Sequence, residues 1–106
     1  MRESDFQAKL IRKIRKMFPG CVVLKNDANY IQGIPDLTVF YKNKWAMLEC
    51  KRSEKESHQS NQDYYVERMD EMSFARFIYP ENEEEVLHEL ERSFKTARSA
   101  RILKRK

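Results

Sequence analysis

Apolar side chains recur along the first quarter of the chain with the spacing of a helix and then of a strand. Residues 4–18 place apolar side chains three or four positions apart, which predicts one helical face made of Phe6, Leu10, Ile11, Ile14, Met17 and Phe18. Ser4 is the predicted N-cap, and Pro19-Gly20 ends the helix. Residues 21–24 have high strand propensity, so a first strand is expected there.

The next part of the chain predicts a β-hairpin. Residues 34–41 and 45–51 are two strand-like runs, and the short polar segment 42–44 between them contains Asn43. A connection of this length and composition joins antiparallel neighbours. Residues 52–60 are charged and polar and therefore predict a loop.

The remaining pattern predicts a helix, a strand and a final helix. Residues 61–72 have helical spacing, with one apolar side made of Tyr65, Val66, Met69 and Met72. Residues 74–79 form a strand-like run that Pro80 ends. Asn82 is the predicted N-cap of a helix that continues to about residue 94, with inward-facing Val86, Leu87, Leu90 and Phe94.

The order α-β-β-β-α-β-α predicts an α/β fold in which a four-stranded mixed β-sheet is flanked by helices. This arrangement is the simplest way to bury all of the apolar stripes. A chain of 106 residues is enough for one domain and too short for two. We expect a single domain at residues 1–96 and a basic C-terminal tail at residues 97–106.

Composition narrows the class of protein further. With 41% apolar residues, only two Gly and three Pro, the chain is expected to build a core rather than stay disordered. No apolar run approaches the roughly 20 residues that cross a bilayer, and the start lacks a signal-peptide pattern, so a cytoplasmic protein without membrane contact is expected. Cys21 and Cys50 lack metal-ligand spacing and are predicted to be reduced, partly buried thiols.

The formal charge of +4 is unevenly distributed. Positive side chains crowd the first helix at Lys9, Arg12, Lys13, Arg15 and Lys16, and from Arg92 onward there are seven Lys or Arg and no acid. Between Asp63 and Glu91 ten acids face two arginines. One basic surface for phosphates and one acidic solvated surface would explain this polarity, and so would ordinary solvated helices with a basic tail.

Three charged residues of the predicted hairpin carry the candidate chemistry. Glu49 and Lys51 point to the same side of an extended strand, and pairing about Asn43 places Asp36 opposite roughly position 50. Two carboxylates and an ammonium in an otherwise apolar strand cost several kcal/mol unless they are compensated. A hard cation such as Mg²⁺ or Mn²⁺ would compensate them and hold a phosphate. A salt-bridge cluster without chemistry is the alternative.

These residues resemble the motif of the PD-(D/E)xK nuclease superfamily. Gly33-Ile34-Pro35-Asp36-Leu37 and Leu48-Glu49-Cys50-Lys51 are most similar to the VRR-NUC domains, including small stand-alone phage versions. Glu3 and Gln7 on the first helix resemble the opening E-x-x-x-Q of that family, and Gln62 resembles its downstream Gln.

The resemblance implies a metal-dependent phosphodiesterase that acts on DNA, often on branched structures such as Holliday junctions. It implies a restriction-endonuclease-like fold with the α-β-β-β-α-β core, Mg²⁺ or Mn²⁺ as cofactor, and pairing as a homodimer. The implied catalytic residues are Asp36, Glu49, Lys51, Glu3 and Gln62. The implied metal ligands are Asp36, Glu49 and the backbone carbonyl of Cys50.

Two other classes of function remain open at this stage. A catalytically silent nucleic-acid-binding module with a nuclease fold would also explain the basic ends, although a pure binder has no need of two carboxylates facing a polyanion. A protein-interaction subunit would use the acidic surface between residues 63 and 91. For a dimer, the apolar helical side chains are candidates for an interface and equally for the core; these are Phe6, Ile14, Met17, Phe18, Tyr65, Met69 and Met72.

Several single residues have both a functional and a structural interpretation. Phosphate contacts or plain solvated charges are expected at Lys25, Arg52 and Lys55. Asn26 and Asp27 would approach the metal or simply form a turn. Base stacking or core packing is expected at Tyr64, Tyr65 and Tyr79, and surface positions are expected at His58 and His88.

Overall fold

Helices and strands follow one another in the predicted order. The computed structural model describes residues 1–96, and its elements are α1 (Glu3–Met17), β1 (Val22–Lys25), β2 (Leu37–Tyr41), β3 (Lys44–Cys50), α2 (Gln62–Met72), β4 (Ala75–Ile78) and α3 (Glu83–Lys95). The predicted α/β class with a four-stranded mixed sheet is confirmed. The predicted basic tail at residues 97–106 lies outside the described residues. Within residues 1–96, every helix is too short or too polar to cross a membrane.

The sheet has the strand order β1-β2-β3-β4. The first three strands are antiparallel neighbours, whereas β4 runs parallel to β3 and is reached through α2. The hairpin turn contains two residues, Lys42 with φ 58° and Asn43, because Lys44 pairs with Tyr41 instead of belonging to the turn. The predicted position of Asp36 opposite roughly position 50 agrees with the structure to within one residue, because Asp36 hydrogen-bonds to both Glu49 and Cys50. Leu37 pairs with Leu48, and this register continues to Asp36 opposite Glu49.

The main core lies between one face of the sheet and the helices α1 and α3. Side chains two residues apart on a strand share a face, and Leu37, Val39, Leu48 and Ile78 are all fully buried on this one. The inward-facing side chains of α1 and α3 complete the cluster with Phe6, Leu10, Ile14, Phe18, Val86, Leu87, Leu90 and Phe94. Phe6, Ile14 and Phe18 are therefore core residues and are not available for a dimer interface.

Helix α2 packs on the opposite face, over β3 and β4. Of its predicted apolar side only Val66 is buried, whereas Tyr65 and Met69 are partly buried and Met72 is exposed. The part of this face formed by β1 and β2 carries exposed apolar side chains at Val22, Leu24 and Phe40.

Two predicted helix caps differ from the structure. Ser4 is not an N-cap, because α1 begins at Glu3 and the carbonyl of Arg2 accepts hydrogen bonds from the backbone N–H groups of Asp5 and Phe6. Glu3 and Asp5 then occupy the first turn, where carboxylates are favoured by the helix dipole. Asn82 does occupy the N-cap position of α3, but its side chain bonds to the end of β4, accepting from the Tyr79 N–H and donating to the Phe77 carbonyl.

Candidate functional site

Asp36 immediately precedes β2, and hydrogen bonds from Asn26 fix the position of its loop. The Asn26 amide donates to the Pro35 carbonyl at 2.9 Å and to the Thr38 hydroxyl at 2.8 Å, while the Asn26 backbone N–H donates to the Asp36 carbonyl at 2.7 Å. The carboxylate oxygen Oδ2 of Asp36 accepts from the Cys50 backbone N–H at 3.0 Å. The Asp36 side chain thereby accepts a backbone hydrogen bond from β3 just before β2 begins.

Glu49 and Lys51 both point to the α2 side of β3, and both are nearly inaccessible to solvent. Their relative exposures are 2% and 3%. Glu49 accepts from the Asp36 backbone N–H at 3.2 Å and from the Gln62 amide at 2.9 Å. Lys51 donates to the Gln62 side-chain oxygen at 2.7 Å and to the Ser57 carbonyl at 3.1 Å. The predicted charges of the hairpin therefore belong to one buried network.

Gln62, the first residue of α2, joins the two charges of that network. Its NH₂ group donates to Glu49 and its oxygen accepts from Lys51, so both ends of the amide have a charged partner. The Gln59 backbone N–H also donates to the same oxygen at 2.8 Å. Gln62 thus fixes the positions of a carboxylate and an ammonium with one side chain.

Glu3 brings a third carboxylate to the same place from the start of α1. One carboxylate oxygen each of Glu3, Asp36 and Glu49 lies within 4.8 Å of the other two. If all three are ionised, Lys51 compensates only one of the three negative charges, and two remain. In that ionised state the site therefore carries an excess of negative charge.

Burial raises the pKa of all three carboxyl groups. The pKa of Glu49 rises to about 8, first because the group is desolvated and next because Asp36 is close. Desolvation also raises the pKa of Asp36, although the Cys50 N–H and Lys51 both favour its ionised form. For the raised pKa of Glu3 the causes are desolvation and then the charges of Asp36 and Glu56. These groups compete for protons unless positive charge is supplied.

Cys50 contributes its backbone to the site and its side chain to the core. The thiol is fully buried in the main core, and burial raises its pKa well above the usual range. Gln7 hydrogen-bonds to this thiol, which gives the second position of the E-x-x-x-Q pattern a structural contact. Because the N–H and C=O of one residue leave a strand on the same side, the Cys50 carbonyl faces the side of Asp36.

A close backbone contact aligns the two halves of the site. Gly33 is buried with φ 90°, and a Cβ at this position would lie 2.6 Å from the backbone carbon of Asn61. Asn61 itself has φ 68° and immediately precedes Gln62. The glycine therefore lets the loop that positions Asp36 touch the start of the helix that positions Gln62.

Other predicted residues lie outside this network. Arg52 pairs with Glu56 at 3.6 Å, and Lys25 and Lys55 are exposed. His88 and His58 are both exposed, as predicted, and His58 stacks on Phe77 and contacts Asp63. Conversely, the sequence did not reveal the roles of Asn26, Ser57 or Gln59. Ser57 and Gln59 act through backbone groups, which every residue possesses, so no residue-type signal marks them.

Comparison with known proteins identified no relative of this chain. The chain matches no family model, and neither the curated proteins nor the solved structures compared with it include a match.

Proposed function

We propose that this protein is a metal-dependent DNA endonuclease that hydrolyses phosphodiester bonds. The observation that carries the proposal is the meeting of Glu3, Asp36 and Glu49 within 4.8 Å, beside a buried lysine. A structural salt bridge would pair each acid with a cation, whereas here the nearby cations are Lys51 and, for Glu3, Arg52, which is already paired with Glu56. Desolvated carboxylates in excess are typical of sites that serve chemistry rather than stability.

The donor set fits Mg²⁺ or Mn²⁺. Asp36 and Glu49 are the proposed ligands together with the Cys50 carbonyl, and Glu3 is close enough to add a direct or water-mediated contact. All of these donors are hard oxygens, and a divalent cation would balance the two uncompensated charges. When bound, such a cation polarises a phosphate and lowers the pKa of a coordinated water.

Lys51 and Gln62 supply the remaining functions of the site. The Lys51 ammonium has three N–H donors, two of which are used by Ser57 and Gln62. The third is available to the attacking water or to the charge that develops on the phosphate oxygens. Gln62 keeps this ammonium directed into the site through its bond to Lys51 and its anchor on Glu49.

DNA is the proposed substrate because of the charge on α1. Lys9, Arg12, Arg15 and Lys16 are exposed on the side of this helix that faces away from the core, whereas Lys13 pairs with Glu83. Side chains of this kind contact phosphates independently of base sequence. Because α1 also carries Glu3 at its first turn, the same helix would connect the basic surface with the catalytic centre.

Branched DNA and a homodimer are the finer parts of the proposal. One catalytic centre cuts one strand, so a symmetric four-way junction requires two centres related by a two-fold axis. Exposed Val22, Leu24 and Phe40 on the sheet supply apolar surface outside the core.

The proposed setting is the cytoplasm of a bacterial or phage-infected cell, which suits the two free cysteines.

The experiment that tests the proposal is incubation of the protein with linear, flapped and four-way DNA in Mg²⁺, Mn²⁺ or EDTA. Cleavage that requires the metal, is strongest on branched DNA and is lost in Glu49→Gln is the expected result. Metal-independent binding without any cleavage would instead favour the alternative, a catalytically silent nucleic-acid-binding module.

A further inference from the structure

A cavity of about 450 Å³ lies beside the carboxylate cluster. Its lining residues are Asn26, Asp27, Tyr30, Ile31, Ile34 and Met47. Met47 precedes Glu49 by two positions on β3, so the two side chains share a face and are about 7 Å apart along the strand. Ile34 likewise precedes Asp36 by two residues. The cavity therefore lies on the same face of the sheet as Glu49, two residues away along β3.

The walls of this cavity suit a flat aromatic group. Tyr30 is 85% exposed, and within residues 1–96 its ring stacks on no other aromatic ring. Ile31, Ile34 and Met47 supply apolar surface next to it. An exposed tyrosine beside an apolar hollow is the kind of platform on which proteins stack unpaired bases.

The loop that carries Tyr30 has a defined backbone. The N–H groups of Tyr30 and Ile31 donate to the Asp27 carbonyl at 3.0 and 3.3 Å, and the Ile34 N–H donates to the Ile31 carbonyl at 3.2 Å. The Asp27 carboxylate oxygen Oδ1 accepts from the Asn29 N–H at 2.8 Å. These bonds order the backbone of the loop that lines the cavity, and an ordered loop lowers the entropic cost of binding a ligand there.

The polar groups of the cavity offer acceptors. Both amide hydrogens of Asn26 are used by Pro35 and Thr38, so what this residue can still provide is its side-chain oxygen. Asp27 keeps Oδ2 after its bond to Asn29. Acceptors of this kind favour bases with an exocyclic amino group, as in cytosine, over thymine.

We propose that this cavity binds one unpaired nucleobase adjacent to the phosphate that a metal ion bound by the carboxylate cluster would hold. The inference rests on the proposed nuclease function and adds its substrate selectivity. A base inside a duplex is stacked and paired and does not enter, whereas a base at a flap or branch point does. Tyr30 stacks on the base, and Asp27 and Asn26 accept from its amino group.

Binding of short single-stranded oligonucleotides, measured by fluorescence anisotropy in EDTA, tests this subsite without turnover. Tyr30→Ala is expected to weaken binding of oligo-dC about fivefold or more, while Tyr30→Phe, which keeps the ring, binds as the wild type does. On a strand made of abasic sites Tyr30→Ala and wild type should bind equally. Equal affinity of Tyr30→Ala and wild type for oligo-dC, or an equal loss on the abasic strand, would overturn the subsite.

Asp27→Asn tests the hydrogen-bond part of the proposal. Asparagine keeps an oxygen for the Asn29 N–H and replaces the free carboxylate oxygen with an NH₂ donor. The preference of the wild type for oligo-dC over oligo-dT should therefore fall about fivefold, because thymine offers an acceptor to that donor. An unchanged preference would contradict the assignment of Asp27.

The two levels of the proposal fail separately. Metal-dependent cleavage with a binding affinity that ignores Tyr30 and the base would remove the subsite and leave the nuclease. Base-dependent binding through Tyr30 without cleavage in Mg²⁺ or Mn²⁺ would remove the nuclease and leave a single-strand binding cavity.

Discussion

At the scale of single residues, Glu49 is unusual because its surroundings favour the protonated form of its carboxyl group. The pKa of Glu49 is raised from 4.5 to about 8 by burial and by Asp36. Glu49 therefore binds its proton more strongly in the folded than in the unfolded chain. This contribution to stability is fully present below pH 4.5 and is lost as the pH rises through about 8.

The metal-free protein should accordingly become less stable between about pH 4.5 and 8, and Glu49→Gln should flatten that decline. Urea unfolding in EDTA across this range measures the effect. Glu67→Gln is the matched control, because Glu67 is exposed on α2 and does not belong to the carboxylate cluster. Equal pH slopes for the wild type and Glu49→Gln would show that Glu49 is not the group responsible.

The proposed role of Lys51 differs from that of the carboxylates, which would hold the metal. Lys51→Met keeps most of the buried stem and removes the ammonium that bonds to Gln62 and Ser57. We expect cleavage to fall by about 100-fold or more, because a donor to the developing phosphate charge is removed. Affinity for Mn²⁺, measured by calorimetry, should persist because an ammonium is not a metal ligand. A collapse of Mn²⁺ affinity would count against this division of roles.

At the scale of elements, the helices and strands were predictable and their packing only partly so. Apolar spacing located α1 and α3 because each buries one stripe, as the buried Leu10 and Leu90 show. The hairpin was predicted and its register agrees to within one residue; the difference arises because Lys44, expected in the turn, pairs with Tyr41 in β3.

The candidate site was predicted to a similar degree. Asp36, Glu49 and Lys51 were found from their spacing on two strands, and Glu3 and Gln62 from the resemblance. The structure brings all five together. No local sequence signal marks the hydrogen bonds of Asn26 or the close approach of Gly33 to Asn61, because both depend on how distant segments pack.

Gly33 and Gly20 form a matched pair for testing the close approach between the loop and α2. Both have φ 90°, but a Cβ at Gly20 meets nothing within 4 Å, whereas at Gly33 it meets the Asn61 backbone. Both alanine variants should show the strain of the backbone conformation, and Gly33→Ala should be destabilised by about 1–3 kcal/mol more. Urea unfolding measures the difference.

Gly33→Ala should also reduce cleavage, because displacement of Asn61 moves Gln62 away from Glu49 and Lys51. Gly20→Ala should cleave at the rate of the wild type. Equal unfolding free energies and equal rates for the two variants would mean that the close approach has no functional consequence.

At the scale of the whole molecule, α1 carries both the exposed basic side chains and Glu3 of the proposed catalytic centre. The exposed cations of this helix should contribute to DNA affinity on all sequences alike, and binding should weaken steeply with salt. Replacing Arg12 and Arg15 with Gln is expected to lower the magnitude of the log–log salt slope on duplex by about 0.9 for each phosphate that the helix no longer neutralises. Glu67→Gln again serves as a control. An unchanged slope would exclude this surface from DNA binding.

The proposed function requires that DNA cleavage depend on both a metal ion and an intact carboxylate cluster. Single-turnover cleavage of a four-way DNA junction is followed in Mg²⁺ for the wild type, Asp36→Asn and Glu49→Gln, with circular dichroism to verify that each is folded. We predict cleavage by the wild type that EDTA abolishes, and none by either folded variant, because each lacks a charged ligand of the cluster. Cleavage by both variants at the rate of the wild type, or by the wild type in EDTA, would contradict a metal-dependent active site at this cluster.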